Sequence, residues 1–218
     1  MSAYRVGVLA YPGCFASEVF GIPDLLTMAA HVAGPDRAGY EVTVISPRRR
    51  VVASGGVALS VSPLREVDIL VVPGFELVPG LDPDARLPPL TAEIAAIRAH
   101  AAAGGAVVSI CVGAFLLARA GLLAGRKATT AWLFADELAQ QCPEADIRPD
   151  RLVVTDRGVT TPSAPCTTSH WTSSHVTAAR GSRGPPRGSP SSTTPARRRP
   201  RMSTRGCCHS PEIRSPAR

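Results

Sequence analysis

The chain has 218 residues, 44% of them hydrophobic, which suits one α/β domain with a sizeable core, or a domain plus a tail. Its formal charge of +7 is unevenly placed: residues 1–161 hold 14 Lys and Arg against 16 Asp and Glu, whereas residues 162–218 hold 10 Arg and one Glu. That distribution argues against a nucleic-acid-binding body. The six cysteines (Cys14, Cys111, Cys142, Cys166, Cys207, Cys208) lack framework spacing and no signal peptide precedes them, so a reducing cytoplasm is expected.

Residues 4–11 (YRVGVLAY) alternate loosely and predict a first strand. Pro12-Gly13 turns the chain. Ser17 is placed to cap a helix through Val19, Phe20, Leu25, Leu26 and Met28, with Pro23 delaying its start or kinking it. Residues 39–46 (GYEVTVIS) predict a second strand, and Arg48-Arg49-Arg50 reads as a solvated loop. Gly55-Gly56 joins two β-prone stretches as a hairpin. Residues 67–72 form a further strand ending in Pro73-Gly74-Phe75-Glu76, and an alanine-rich helix is expected over 87–103. The uncharged run 101–118 just reaches the ~18 residues of a membrane-span candidate, but Gly104-Gly105 and a change of period inside it favour a buried core segment and no membrane contact.

The stretch 106–130 (AVVSICVGAFLLARAGLLAGRKATT) carries the chemistry. An apolar β-prone run to Ile110 gives way to a short helix with Phe115, Leu116, Leu117, Leu122 and Leu123, closed by Gly121 and Gly125. Cys111 stands at the junction. A thiol on such a strand-to-helix turn is lifted into the open, and the helix N-terminus favours its anion. The Val112 N–H is placed to receive developing negative charge. Spacing alone also allows Cys111 as a small buried residue at a strand end. Strand, helix, strand and helix in alternation predict a mostly parallel sheet covered on both faces, with ligands beyond its carboxyl edge, where Cys111, Gly74 and the 12–18 loop all fall.

SICVGAFLLARAGLLAGRKATTAW resembles the elbow and following helix of the ThiJ/PfpI superfamily, and YPGCFASEVFGIPDLL resembles its first loop and helix. The nearest branch is that of isonitrile hydratase and the N-terminal domains of AraC-type regulators. The resemblance implies a flavodoxin-like three-layer sandwich with a cysteine nucleophile elbow over residues 1–161. It implies Cys111 as nucleophile and Glu18 as the acid that reaches it. It also implies that backbone N–H groups of Gly74, Phe75 and Val112 face developing charge. On the residues alone, Glu18 also fits an acid balancing a helix dipole, and Gly74-Phe75 an ordinary turn. Cys14 and Cys142 receive no catalytic role. Many relatives carry a histidine after the two threonines, where this chain has Ala131-Trp132, and neither His31 nor His100 fits that position. A full Cys-His-acid triad is therefore not expected, which counts against amidotransferase or protease activity. The function implied is a cysteine-dependent small-molecule hydratase or hydrolase, with a non-catalytic ligand- or redox-sensing domain as the alternative. No cofactor or metal is implied; a small-molecule ligand and a homodimer are.

A helix is expected over residues 132–141, and residues 151–161 (RLVVTDRGVTT) predict a late hairpin turning at Asp156-Arg157-Gly158. Beyond it the family pattern calls for a long amphipathic helix, but residues 162–218 are rich in Pro, Arg, Ser and Thr, a composition expected to stay disordered. A displaced reading frame explains the break: permitted codon choices across 165–176 then read MHDLALDLVAR, an amphipathic helix of the missing type. On that reading Arg197-Arg198-Arg199-Pro200-Arg201 is no nucleic-acid patch and Cys207-Cys208-His209 no metal site.

Overall fold

The computed structural model describes residues 3–34, 38–77 and 89–163. The expectations for the tail, including its disorder, its basic run and the loss of a last helix, fall almost wholly outside those residues.

Strand β1 (Tyr4–Leu9) and helix α1 (Ala16–Ala33) lead to β2 (Tyr40–Ser46), which pairs parallel with β1, Val8 opposite Val44. The short strands β3 (Val51–Val52) and β4 (Ala58–Leu59) form the hairpin expected at Gly55-Gly56, as a separate two-stranded sheet. After β5 (Ser62–Pro63), strand β6 (Ile69–Val72) enters on the other side of β1. Helix α2 (Thr91–Ala102) returns the chain to β7 (Ala106–Ser109), parallel to β6. The elbow and helix α3 (Ala114–Arg119) follow, then β8 (Lys127–Ala128), helix α4 (Ala135–Gln141) and β9 (Asp146–Ile147), which pairs with β8. The hairpin of β10 (Val153–Asp156) and β11 (Val159–Pro162) closes the described chain, turning at Arg157-Gly158, both with positive φ.

The main sheet has the order β10-β11-β7-β6-β1-β2-β5, and only β10 runs antiparallel. The crossovers β1 to β2 and β6 to β7 travel in opposite directions along the sheet, so right-handed connections put α1 on one face and α2 on the other. This is the expected flavodoxin-like α/β architecture. The central strand β6 is buried throughout (Ile69, Leu70, Val71, Val72), as a strand covered on both faces should be. The chain reverses its direction of travel between β1 and β6, so the crevice beyond their carboxyl ends is the place for a site. Among the described residues no helix is long and apolar enough to cross a membrane.

Local readings differ in four places. Helix α1 begins at Ala16, with Phe15 and not Ser17 at its cap, and runs through Pro23. Burial of Val19, Ile22 and Leu26 against the sheet outweighs the N–H that Pro23 lacks; Phe20 and Met28, which share the apolar pattern of the expected helix, are exposed. Helix α3 stops at Arg119, short of Leu122 and Leu123. Gly121 (φ +74) ends it, with its N–H on Ala118 O and that of Leu122 on Leu117 O, a Schellman closure. The helix expected over 132–141 starts as a 3-10 turn, Trp132–Phe134. Finally, Arg48 is no solvated-loop residue: its Nε donates to Glu93 Oε1 at 2.5 Å and its Nη2 to the Pro89 carbonyl, tying the end of β2 to the start of α2.

Candidate active site around Cys111

Strand β7 ends in a tight 3-10 turn, Cys111–Gly113, before α3. Cys111 has φ +52, a left-handed conformation that a side chain adopts only when its surroundings hold it there. The holding groups are visible. Ile110 N donates to Val72 O, Gly113 N to Ile110 O, and the Thr130 hydroxyl to the Cys111 carbonyl at 3.0 Å. Thr129 N in turn donates to the Thr161 hydroxyl of β11, and both threonines of the pair Thr129-Thr130 are buried. Gly113 is required by space: a Cβ there would lie 2.6 Å from the Val72 carbonyl oxygen and 2.8 Å from that of Pro73. The elbow therefore packs directly on the backbone leaving β6.

Glu18, in the first turn of α1, reaches the same place. It is 5% exposed, and its Oε2 accepts the Gly74 N–H at 2.6 Å. A Cβ on Gly74 would sit 3.4 Å from that oxygen and 3.3 Å from both Ile110 O and Val112 Cγ2, the neighbours of Cys111. Acid and elbow thus converge on Gly74. Burial pushes the Glu18 carboxyl up to about 7, partly offset by the Gly74 N–H. Its second oxygen, Oε1, is buried without a hydrogen-bond partner, as is Ser109 Oγ two residues before Cys111. The orphaned Glu18 oxygen leaves polar capacity for a water or a substrate atom.

The Gly74 N–H, expected to serve developing charge, is committed to Glu18 instead. Phe75 is buried and its backbone bridges Cys14; Val112 is buried within the turn. Cys14 itself is buried, its thiol pushed up by desolvation, and it is not disulfide-bonded. No imidazole stands after the threonines: Ala131 is half-buried and Trp132 is 76% exposed. His100 packs at the opposite end of β7, Nε2 3.0 Å from Ala106 O, and His31 lies in the last turn of α1. Among the described residues no group of three or more His, Cys, Asp or Glu could hold a metal.

Two features escaped the sequence reading. Tyr11, at the end of the first strand segment, is fully buried and its hydroxyl donates to the Pro73 carbonyl at 2.5 Å. Glu93, paired to Arg48, shares a buried stripe with Ile97 on α2 and with Leu90 at its N-cap. An acid on an apolar helical stripe is a signal that a cation must be found for it.

Comparison with known proteins agrees with this fold. The model of the DJ-1/PfpI family matches residues 7–178. An uncharacterised protein from the cpoL 5′ region of Streptomyces lividans is 32% identical over 145 residues, covering 64% of this chain and 96% of that protein. Among solved structures, an AraC family transcriptional regulator from Pseudomonas putida aligns with a TM-score of 0.63 at 22% identity, over 82% of this chain and 96% of that one. DJ-1beta from Drosophila melanogaster aligns with a TM-score of 0.63 at 22% identity, over 83% and 92%. These two likenesses speak for the fold, and the family match for descent: the chain belongs to the DJ-1/PfpI family.

Proposed function

We propose that this protein is a cysteine-dependent hydratase or hydrolase of small electrophilic molecules, of the isonitrile hydratase type. The observation that carries the reading is the Glu18 carboxyl, buried at the elbow with one oxygen on the Gly74 N–H, the other unpartnered, and an ionisation near neutral pH. An acid so poised can give and take a proton at working pH. The sulfur of Cys111 forms a bond to the electrophilic carbon of an isonitrile while Glu18 delivers a proton to that carbon, leaving a thioimidate. Water then attacks the same carbon, one of its protons passing to the nitrogen and one back to Glu18. The C–S bond breaks, and the thiolate and a substituted formamide are released. Backbone N–H groups of Phe75 and Val112 are the proposed holders of transient negative charge.

A second reading, a ligand- or redox-sensing domain without turnover, draws on the likeness to the Pseudomonas putida AraC family regulator. Conversion of an aryl isonitrile to its formamide, followed by chromatography and mass spectrometry, separates the two. Turnover is expected in wild type and lost in Cys111→Ala. Wild-type conversion no faster than Cys111→Ala, with the thiol intact, would leave the sensing reading standing.

A further inference from the structure

The Pro73 carbonyl and the Gly74 N–H belong to one planar peptide unit, and its two ends are held by different side chains. The Tyr11 hydroxyl donates to the carbonyl end at 2.5 Å, and Glu18 Oε2 accepts from the amide end at 2.6 Å. The Cα of Gly113, where a Cβ would fall 2.8 Å from the Pro73 oxygen, presses the elbow onto the same carbonyl. One peptide plane therefore joins Tyr11, the Cys111 turn and Glu18. We propose that Tyr11 is a positioning residue for Glu18: its hydroxyl orients and polarises the Pro73–Gly74 peptide, whose N–H then holds the Glu18 carboxylate in place.

The direction of the effect follows from hydrogen-bond cooperativity. A donor on a carbonyl withdraws electron density from the attached nitrogen and makes its N–H a better donor. A better donor favours the ionised carboxyl, so Tyr11 draws the Glu18 titration downward against the desolvation that raises it. Tyr11 must stay protonated to donate, and it does: full burial and the neighbouring Cys14, Glu18 and Cys111 push its phenol well above the ordinary value. The titratable groups that interact with Glu18 are Tyr11, two residues beyond β1, and Cys14 from the following loop, while Cys111 from the elbow acts on Tyr11. Among the described residues no cationic side chain pairs with it. The peptide is thus the group through which the structure tunes this acid. The catalytic meaning of this role rests on the reading of Glu18 as the acid serving Cys111, but the Tyr11–Glu18 coupling itself does not.

The test is carbon-13 NMR of the full chain labelled at glutamate carboxyls, with the Glu18 resonance assigned by its absence in Glu18→Gln. In Tyr11→Phe the Glu18 midpoint rises by roughly half a pH unit or more. Replacing the three tyrosines with 3-fluorotyrosine, a stronger donor, lowers it. The opposite signs distinguish a tuned hydrogen bond from a loosened core, which would move both the same way. A folded Tyr11→Phe protein with an unchanged midpoint overturns the proposal. If that variant fails to fold, an unchanged or raised midpoint in the fluorotyrosine protein overturns it. A shifted midpoint alongside a Cys111 alkylation profile indifferent to Glu18→Gln would uphold the coupling and sink the catalytic reading alone.

Discussion

Two glutamates sit at corresponding places in this fold, each in the first turn of a helix and each buried at the carboxyl edge of the sheet. Glu93 on α2 is 0% exposed and takes an Arg48 guanidinium at 2.5 Å. Glu18 on α1 has a single backbone N–H and one orphaned oxygen. The first is a clamp: a charge taken from water and repaid by an opposite charge, closing the end of β2 onto α2. The second is, in the proposed function, the reactive group: desolvation without an opposing cation raises its ionisation to about 7. Burial alone does not separate a structural acid from a chemical one; the partner does.

Breaking the clamp has the largest expected effect. Arg48→Ala leaves the Glu93 carboxylate buried and alone, at a cost of about 3 kcal/mol given that Arg48 is partly exposed, and a melting point lower by roughly 6–12 °C. Replacing both partners with methionine recovers most of the loss, because neither charge is then stranded. If Arg48→Ala melts with wild type in calorimetry, the pair is no clamp.

Removing the second acid acts in the other direction and depends on pH. The folded protein holds the Glu18 proton to about 7, whereas the ordinary value is 4.5. Wild type therefore loses stability as pH rises from the unfolded value through the folded one, and Glu18→Gln does not. The variant's advantage widens between pH 4.5 and 7 by as much as about 3 kcal/mol, then stays level. Urea unfolding at pH 5 and pH 8.5 reads that difference directly; equal gaps at both would mean the carboxyl is not raised.

Smaller effects sharpen the peptide contact between the elbow and β6. Gly113→Ala forces a Cβ against two backbone carbonyls and costs roughly 1–3 kcal/mol, while Gly74→Ala meets neighbours at 3.3–3.4 Å and costs less than about 1 kcal/mol. A reversed order in denaturant midpoints would show that the turn is not seated as described.

The elbow was legible because its cause is local. Gly104-Gly105, an apolar run, a cysteine and Gly113 follow within ten residues, and the glycines answer a positive φ at Gly104 and a close backbone approach at Gly113 near their own positions. The two hairpins at Gly55-Gly56 and Arg157-Gly158 were readable for the same reason. The clamp was not, because Arg48 and Glu93 are 45 positions apart and neither carries a short-range sign of the other. Tyr11 looked like one more strand residue, since its meaning lies in a carbonyl 62 positions away. Helix α1 misled through its composition. Phe20 and Met28 are apolar but off the line of Glu18, Ile22 and Leu26, and that line, carrying an acid, is the face that is buried.

The central claim is that Glu18 governs the reactivity of Cys111. The rate of Cys111 alkylation, followed by mass spectrometry across pH in wild type and Glu18→Gln, tests it most directly. The account predicts a wild-type profile with a step near pH 7, the Glu18 ionisation, that is absent in the variant. Superimposable profiles in two folded proteins would contradict it and leave the reactivity of Cys111 independent of Glu18.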